Sequence, residues 1–175
     1  MRLLMRHSNQ SGATLIEILI TVLVLGLGLL GVGALQTRSI QANHDAAMYS
    51  RAAFLASDIS ERMRANPLGV RAGSYQHNLG AEVITNQDCT ANSCTPTQLA
   101  DYDLQQWLNG RIRTELPQGD AGLTSADWNA LGPGGTRARV NVTLTIRWQG
   151  RVGGECAADG SAGTDYKCFT TTLGI

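Results

Sequence analysis

The chain has 175 residues, with 14 Lys+Arg against 14 Asp+Glu and a formal net charge of zero at pH 7. That balance argues against a protein that gathers a polyanion through bulk positive charge. Only 16% of the residues are charged while 43% are hydrophobic, and the longest apolar run lies near the N-terminus.

Residues 1–12 form a short basic leader that carries Arg2 and Arg6 and ends in Gly12. A secretory signal peptide has its small-residue cleavage site after the apolar core. Here the Gly12-Ala13 junction precedes that core. Cutting there removes the charged leader and leaves the apolar segment on the mature chain. Losing Arg2 and Arg6 takes Lys+Arg from 14 to 12 against 14 Asp+Glu, a mature net of −2. The positive-inside rule keeps the leader cytoplasmic and exports the C-terminal bulk. An uncleaved single-pass anchor is the competing reading.

Residues 13–35 are apolar except for one carboxylate, Glu17. As a helix they measure about 34 Å, enough to cross a hydrocarbon core of about 30 Å. An acid at the centre of such a segment costs about 2.5–3.5 kcal/mol on insertion scales, so its presence suits partner recognition better than simple anchoring. Gly26, Gly28 and Gly31 spell GxGxxG. No strand precedes this string and no βαβ unit surrounds it, which rules out a dinucleotide site. With Gly33, these glycines loosen the helix and permit close helix contact.

Polarity rises after Leu35, but the helical period continues. Ala52, Leu55, Ala56, Ile59 and Met63 make one stripe, while Arg51, Asp58, Glu61, Arg62 and Arg64 occupy other faces. Asn66-Pro67 supplies a stop. The pattern predicts one helix of about 50 residues, with two helices broken near the membrane surface as the alternative. Four segments follow: residues 1–12 as leader, 13–35 as transmembrane helix, 36–66 as its amphipathic continuation and 67–175 as an exported α+β domain.

Within that domain, residues 68–98 read as loop with short irregular pieces. A helix is predicted over 102–116, where Leu104, Trp107, Leu108, Ile112 and Leu116 recur at helical spacing, and Leu116-Pro117 ends it. Gly132-Pro133-Gly134-Gly135 signals a turn. Residues 137–149 alternate strictly: Ala138, Val140, Val142, Leu144, Ile146 and Trp148 point one way, with Arg137, Arg139 and Arg147 among those pointing the other. This predicts a half-buried antiparallel strand whose apolar face covers the stripe around Ile59. Residues 166–173 are its expected partner. Cys89, Cys94, Cys156 and Cys168 all fall in the exported part, where an even count suggests two disulfides. Three pairings are open, with Cys89–Cys94 and Cys156–Cys168 favoured as local closures. Their spacings fit a zinc site poorly.

The string Gly12-Ala13-Thr14-Leu15-Ile16-Glu17 resembles the prepilin motif of type IV pilins and pseudopilins. Residues 52–67, AAFLASDISERMRANP, with Trp107, Leu116-Pro117 and Ile146-Arg147-Trp148, are similar to PilV-type minor pilins. The resemblance implies an α+β pilin fold: a long N-terminal helix whose exported half packs on an antiparallel β-sheet. It implies cleavage between Gly12 and Ala13 and N-methylation of Ala13 by prepilin peptidase. It further implies residence in the bacterial inner membrane as a single-pass protein with a periplasmic C-terminal domain, then in the pilus fibre at the cell surface. Other minor pilins, the major pilin and the inner-membrane assembly platform are the implied partners, with a tip adhesin as a further candidate. Two positions depart from the family pattern. Ala13 stands where the first mature residue is usually phenylalanine, and Ala34 where major pilins carry proline.

Cleavage would create a new amine at Ala13, and Glu17 of a neighbouring subunit is the group to neutralise it. Opposite charges about 4 Å apart attract by about 4 kcal/mol at an effective dielectric near 20, before desolvation. Catalytic constellations, cofactor sites and metal sites are not expected. His7 belongs to the leader, and His44 and His77 lack ligand spacing. Asp101 and Asp103 read as solvated loop charges. Arg137, Arg139 and Arg147 read as a solvated sheet face rather than a nucleic-acid site. The expected function is a minor pilin that primes pilus assembly and is incorporated at or near the tip, supporting twitching motility and adhesion. The alternatives are a type II secretion pseudopilin and a membrane-anchored periplasmic binding module, DNA being one conceivable ligand.

Overall fold

The structure, a computed structural model, describes residues 14–128, 139–150, 154, 156 and 166–175. The predicted turn at 132–135, and Arg137 and Ala138 of the predicted strand, lie outside these residues. The chain divides into two compact units, Met1–His44 and Asp45–Ile175.

Helix α1 is unbroken over Leu15–Ala65, 51 residues, so the alternative of two separate helices does not hold. As far as Leu35 α1 is dominated by exposed apolar side chains, Leu15, Leu19, Leu23, Leu27 and Leu30 among them. The helix is long and apolar enough to cross a membrane. Thr21 turns its hydroxyl back onto the Ile18 carbonyl at 2.8 Å, and Thr37 onto the Gly33 carbonyl at 3.1 Å. Such back-bonding satisfies a hydroxyl without an external partner.

In the second unit the α1 stripe becomes core. Ala52, Leu55, Ala56, Ile59 and Met63 are buried in one cluster with residues of the sheet and of the later helices. The C-terminus of α1 falls at Ala65, before Pro67. Asn66 then caps a short helix, α2 (Pro67–Arg71), by accepting from the Gly69 N–H.

Helix α3 runs Pro96–Trp107 and continues through a π-helical turn, Leu108–Ile112, into the short α4, Arg113–Glu115. The helical segment therefore starts at Pro96 rather than Tyr102, and 68–98 is not all loop. The reason is local. Thr95 and Gln98 form a reciprocal capping box and Pro96 occupies the first turn, where a missing N–H costs nothing. The far end behaves as the sequence indicated, with Leu116 extended ahead of Pro117.

Three antiparallel strands follow in the order β1-β2-β3: Asp120–Thr124, Asn141–Trp148 and Lys167–Gly174. Strand β2 is the alternating segment, and Val142, Leu144, Ile146 and Trp148 on its inner face are buried. Strand β1 was not legible in the sequence. Its five residues, DAGLT, hold a single large apolar side chain, and only pairing with β2 from Asp120↔Arg147 to Thr124↔Thr143 makes them a strand. The outer edge of β1 is closed by His77, which exchanges two backbone bonds with Leu123, at 2.9 and 2.8 Å. The result is an α+β fold, a long N-terminal helix followed by a small antiparallel sheet.

Two tryptophans tie the layers together. The Trp107 indole N–H donates to the Leu55 carbonyl at 2.9 Å, and Trp148 meets the Tyr49 ring edge-on at a centroid distance of 5.0 Å. Trp107→Ala removes one of the two largest fully buried side chains among the described residues and leaves a cavity. It should lower the unfolding free energy by about 3–5 kcal/mol in urea titration of the detergent-solubilised protein.

His77 is buried, and desolvation holds its imidazole below the ordinary histidine value. Asp120 opposes that shift and Arg113 adds to it. The fold thus favours neutral His77, while the unfolded chain protonates first, near pH 6.5. Its contribution is complete above that pH and is lost as pH falls through the lower folded value. Stability should therefore drop on acidification below about pH 6.5, and His77→Gln should flatten that part of the profile in urea midpoints measured against pH.

Candidate assembly site

At the start of α1 the Thr14 carbonyl accepts from the N–H groups of Glu17 and Ile18, at 3.0 and 3.2 Å. Glu17 thereby lies in the first turn, where a carboxylate complements the positive end of the helix dipole. Its neighbours Leu15, Ile16, Ile18, Leu19 and Ile20 are all exposed, so the acid stands in an uncovered apolar surface. Gly12 and Ala13, the expected processing pair, lie outside the described residues. A Cβ added at Gly26, Gly28, Gly31 or Gly33 would meet nothing within 4 Å. No contact among the described residues requires these glycines. Glycines at such positions would permit close approach of another helix.

The other end of α1 is held by a polar network. Arg62 donates to Asp58 at 3.2 Å and to Asp103 of α3 at 3.3 Å. The other Asp103 oxygen accepts from the Tyr75 hydroxyl at 2.7 Å. The Asn66 amide donates to the Pro96 carbonyl at 2.7 Å and reaches the Tyr75 oxygen at 3.3 Å. Burial and the Asp103 hydrogen bond push the Tyr75 hydroxyl well above the ordinary tyrosine value, so it remains a donor. Asp103 is therefore not a solvated loop charge. It sits in α3, its side chain only 11% exposed, and joins two elements to the end of α1. Asp101, on the same helix, is exposed. Gly69 is required here, because a Cβ would approach the Pro96 carbonyl to 2.8 Å.

Of the strand arginines, Arg137 lies outside the described residues, and the other two differ in their surroundings. Arg139 is exposed, but Arg147 is only 12% exposed and donates to Asp120 at 2.9 Å. Its guanidinium also lies over the Tyr166 ring, 4.9 Å from the centroid. The solvated-face reading fails for Arg147 because Asp120 on the paired strand neutralises it, and Asp120 also accepts from the Gly80 N–H. His44 is half-buried and His77 buried. No group of three or more His, Cys, Asp or Glu residues could hold a metal among the described residues.

Disulfides join Cys89 to Cys94 and Cys156 to Cys168, with Cα separations of 5.6 and 6.1 Å. The first closes a tight loop ahead of α3. The second fastens β3 to Cys156, which also pairs through its backbone with Tyr166.

Residues 7–33 match the family model of the prokaryotic N-terminal methylation motif, and residues 34–105 match that of the type IV pilin Tt1218. The two matches adjoin in the chain, and together they support a type IV pilin. No curated protein and no solved structure gives a significant match. Type IV pilins are structural subunits, not enzymes. The methylation motif implies processing by prepilin peptidase and assembly with other pilins, and with the apolar helix it fits membrane anchoring followed by residence in the pilus. The pilin match runs through the clamp to α3 and stops short of the sheet.

Sequence reasoning found Asn66-Pro67 as a stop but missed the clamp. The ERMRANP string was the available signal, since Arg62 and Asn66 fall on the turn that faces α3. Asp103→Ala strands the buried Tyr75 hydroxyl and one arm of Arg62. It should cost about 1–3 kcal/mol of unfolding free energy, measured by urea titration of the pilin in detergent.

Proposed function

We propose that this pilin is a minor subunit of PilV type that primes type IV pilus assembly and is incorporated at or near the tip, where it supports twitching motility and adhesion. The observation that carries this reading is the position of Glu17, the one charged residue of an otherwise apolar and exposed stretch, in the first turn of α1. Prepilin peptidase cuts between Gly12 and Ala13 and methylates the Ala13 amine. Residues 13–35 hold the subunit in the inner membrane, with the domain from residue 67 onward in the periplasm. Glu17 of one subunit then neutralises the Ala13 amine of its neighbour.

Apolar packing alone sets helix register weakly, because lipid tails are as apolar as the partner helix. A charge pair worth about 4 kcal/mol before desolvation sets it sharply. Ala34, in place of the proline of major pilins, and the ERMRANP segment favour the minor class. Other minor pilins, the major pilin, the assembly platform and a tip adhesin are the partners of such a subunit.

Glu17→Ala should leave the chain in the membrane fraction and sharply reduce its recovery in sheared pili. Equal recovery of variant and native chains would refute the role. Mass spectrometry of the mature protein should find Ala13 as the methylated first residue, whereas an intact Met1 would mark a plain anchor. Deletion should abolish surface pili and twitching. Lost exoprotein secretion with normal pili would instead identify a type II secretion pseudopilin.

A further inference from the structure

Between the clamp and α3 the chain crosses the head as residues 77–88, and both ends of that segment are firmly held. Tyr75 is buried in the clamp with its hydroxyl on Asp103. Cys89 is joined to Cys94, the residue before the Thr95 cap of α3. The stretch between has few fastenings of its own. His77 exchanges two backbone bonds with Leu123 of β1, and the Gly80 N–H donates to Asp120 at 2.6 Å. Beyond Gly80 the helical layer takes over from the sheet. Gln105, Asn109 and Arg113 donate to the carbonyls of Thr85, Val83 and Ala81, at 3.1, 3.4 and 3.5 Å.

Those three bonds come from side chains, and the last two are exposed. No backbone N–H from Glu82 to Asn86 bonds another backbone group among the described residues. Ala81, Val83 and Thr85 are half-buried, while Glu82, Ile84 and Asn86 are exposed. Val83 packs on the core but is only partly buried. Few buried contacts and solvent-exposed hydrogen bonds mark a segment that opens at a lower cost than the whole domain.

The backbone pair at His77 is the fastening that acid can reach. The residue is buried, and its Nε2 is buried without a hydrogen-bond partner. An imidazolium donates from both nitrogens, so a proton on this ring leaves a buried charge one acceptor short. Among the described residues, two charged groups act on it. Asp120 of β1 favours the proton and Arg113 of α4 opposes it, with burial the largest influence and against the proton. Asp120 is already shared between the Gly80 N–H and Arg147 of β2. Lifting His77 off β1 returns the ring to water, where it takes a proton at the ordinary histidine value.

We propose that residues 77–88 are an acid-opened strap: a proton on His77 lifts them as one piece from β1 and from the flank formed by Gln105, Asn109 and Arg113, while the three-stranded sheet, the clamp and the Cys89–Cys94 disulfide stay in place. The opened strap is a loop closed at Tyr75 and Cys89, and it uncovers the outer edge of β1 at Leu123. Opening breaks no β1–β2 or β2–β3 pairing and moves none of the α1 stripe, which keeps it separate from unfolding of the head.

The test is hydrogen–deuterium exchange of the detergent-solubilised full-length chain, with each rate divided by the intrinsic rate at the same pH. Between about pH 7.5 and about pH 5, protection at His77, Gly80 and Leu123 should fall by up to about thirtyfold, the factor by which an exposed histidine gains over a ring that stays neutral. Protection at Leu144 and Ile146, in the middle of the sheet, should not change. In His77→Gln the pH response at Gly80 and Leu123 should vanish, and slow exchange at Leu144 and Ile146 at pH 7.5 reports that the variant is folded. His77→Leu serves in its place if the glutamine variant unfolds. The native chain decides by itself as well: equal protection at both pH values, or a loss shared equally by Leu144 and Ile146, would overturn the strap. A pH response that persists in a folded His77 variant would overturn it too.

Discussion

One helix serves two environments, and the rest of the molecule depends on that. Between Leu15 and Leu35 the side chains of α1 are apolar on all sides apart from Glu17 and Thr21, which suits a lipid phase or a bundle of similar helices. From Ala52 to Met63 one apolar stripe is buried, while Phe54 on another face is exposed. Burying five such side chains against a sheet and a second helical layer is the main stabilisation available to so small a head domain. The C-terminal domain is therefore not an independent body with a tether. Its core includes part of the helix that anchors it.

The charges follow the same division. In the apolar half the single carboxylate, Glu17, meets no guanidinium among the described residues of its own helix face. In the other half every acid near the core is answered at short range. Arg62 serves both Asp58 and Asp103, Tyr75 caps the second Asp103 oxygen, and Asp120 answers Arg147 across the β1–β2 ladder. Buried ion pairs of this kind add little net stability, but they penalise wrong arrangements, since each partner left alone would be an uncompensated buried charge. They fix where α1 ends and how α3 meets it.

The helices α2 and α3 owe their positions to local chemistry that hydrophobic periodicity does not capture. Asn66 ends one helix and caps the next. Thr95 and Gln98 cap α3 well ahead of Leu104, where its obvious apolar repeat begins. The disulfides act at the margins, one closing the loop before α3 and the other holding the start of β3 beside Cys156. The sheet is thus closed on one side by His77 and stapled at a corner of the other by Cys156.

The long helix, its stripe, the stop at Asn66-Pro67 and the alternating strand were all legible in the sequence, because each is a periodic pattern of burial along one element. Glu17 was legible for a related reason: a lone carboxylate in an apolar run contradicts its surroundings. Strand β1, the clamp on Asp103 and the neutralisation of Arg147 were not. DAGLT carries too little apolar signal to specify a strand, and Asp103 and Arg147 have the same local appearance whether solvated or paired. Their state depends on residues 28 and 27 positions away, Tyr75 and Asp120. Order along the chain decides what each segment can become, whereas the partners of a buried charge exist only once distant segments meet.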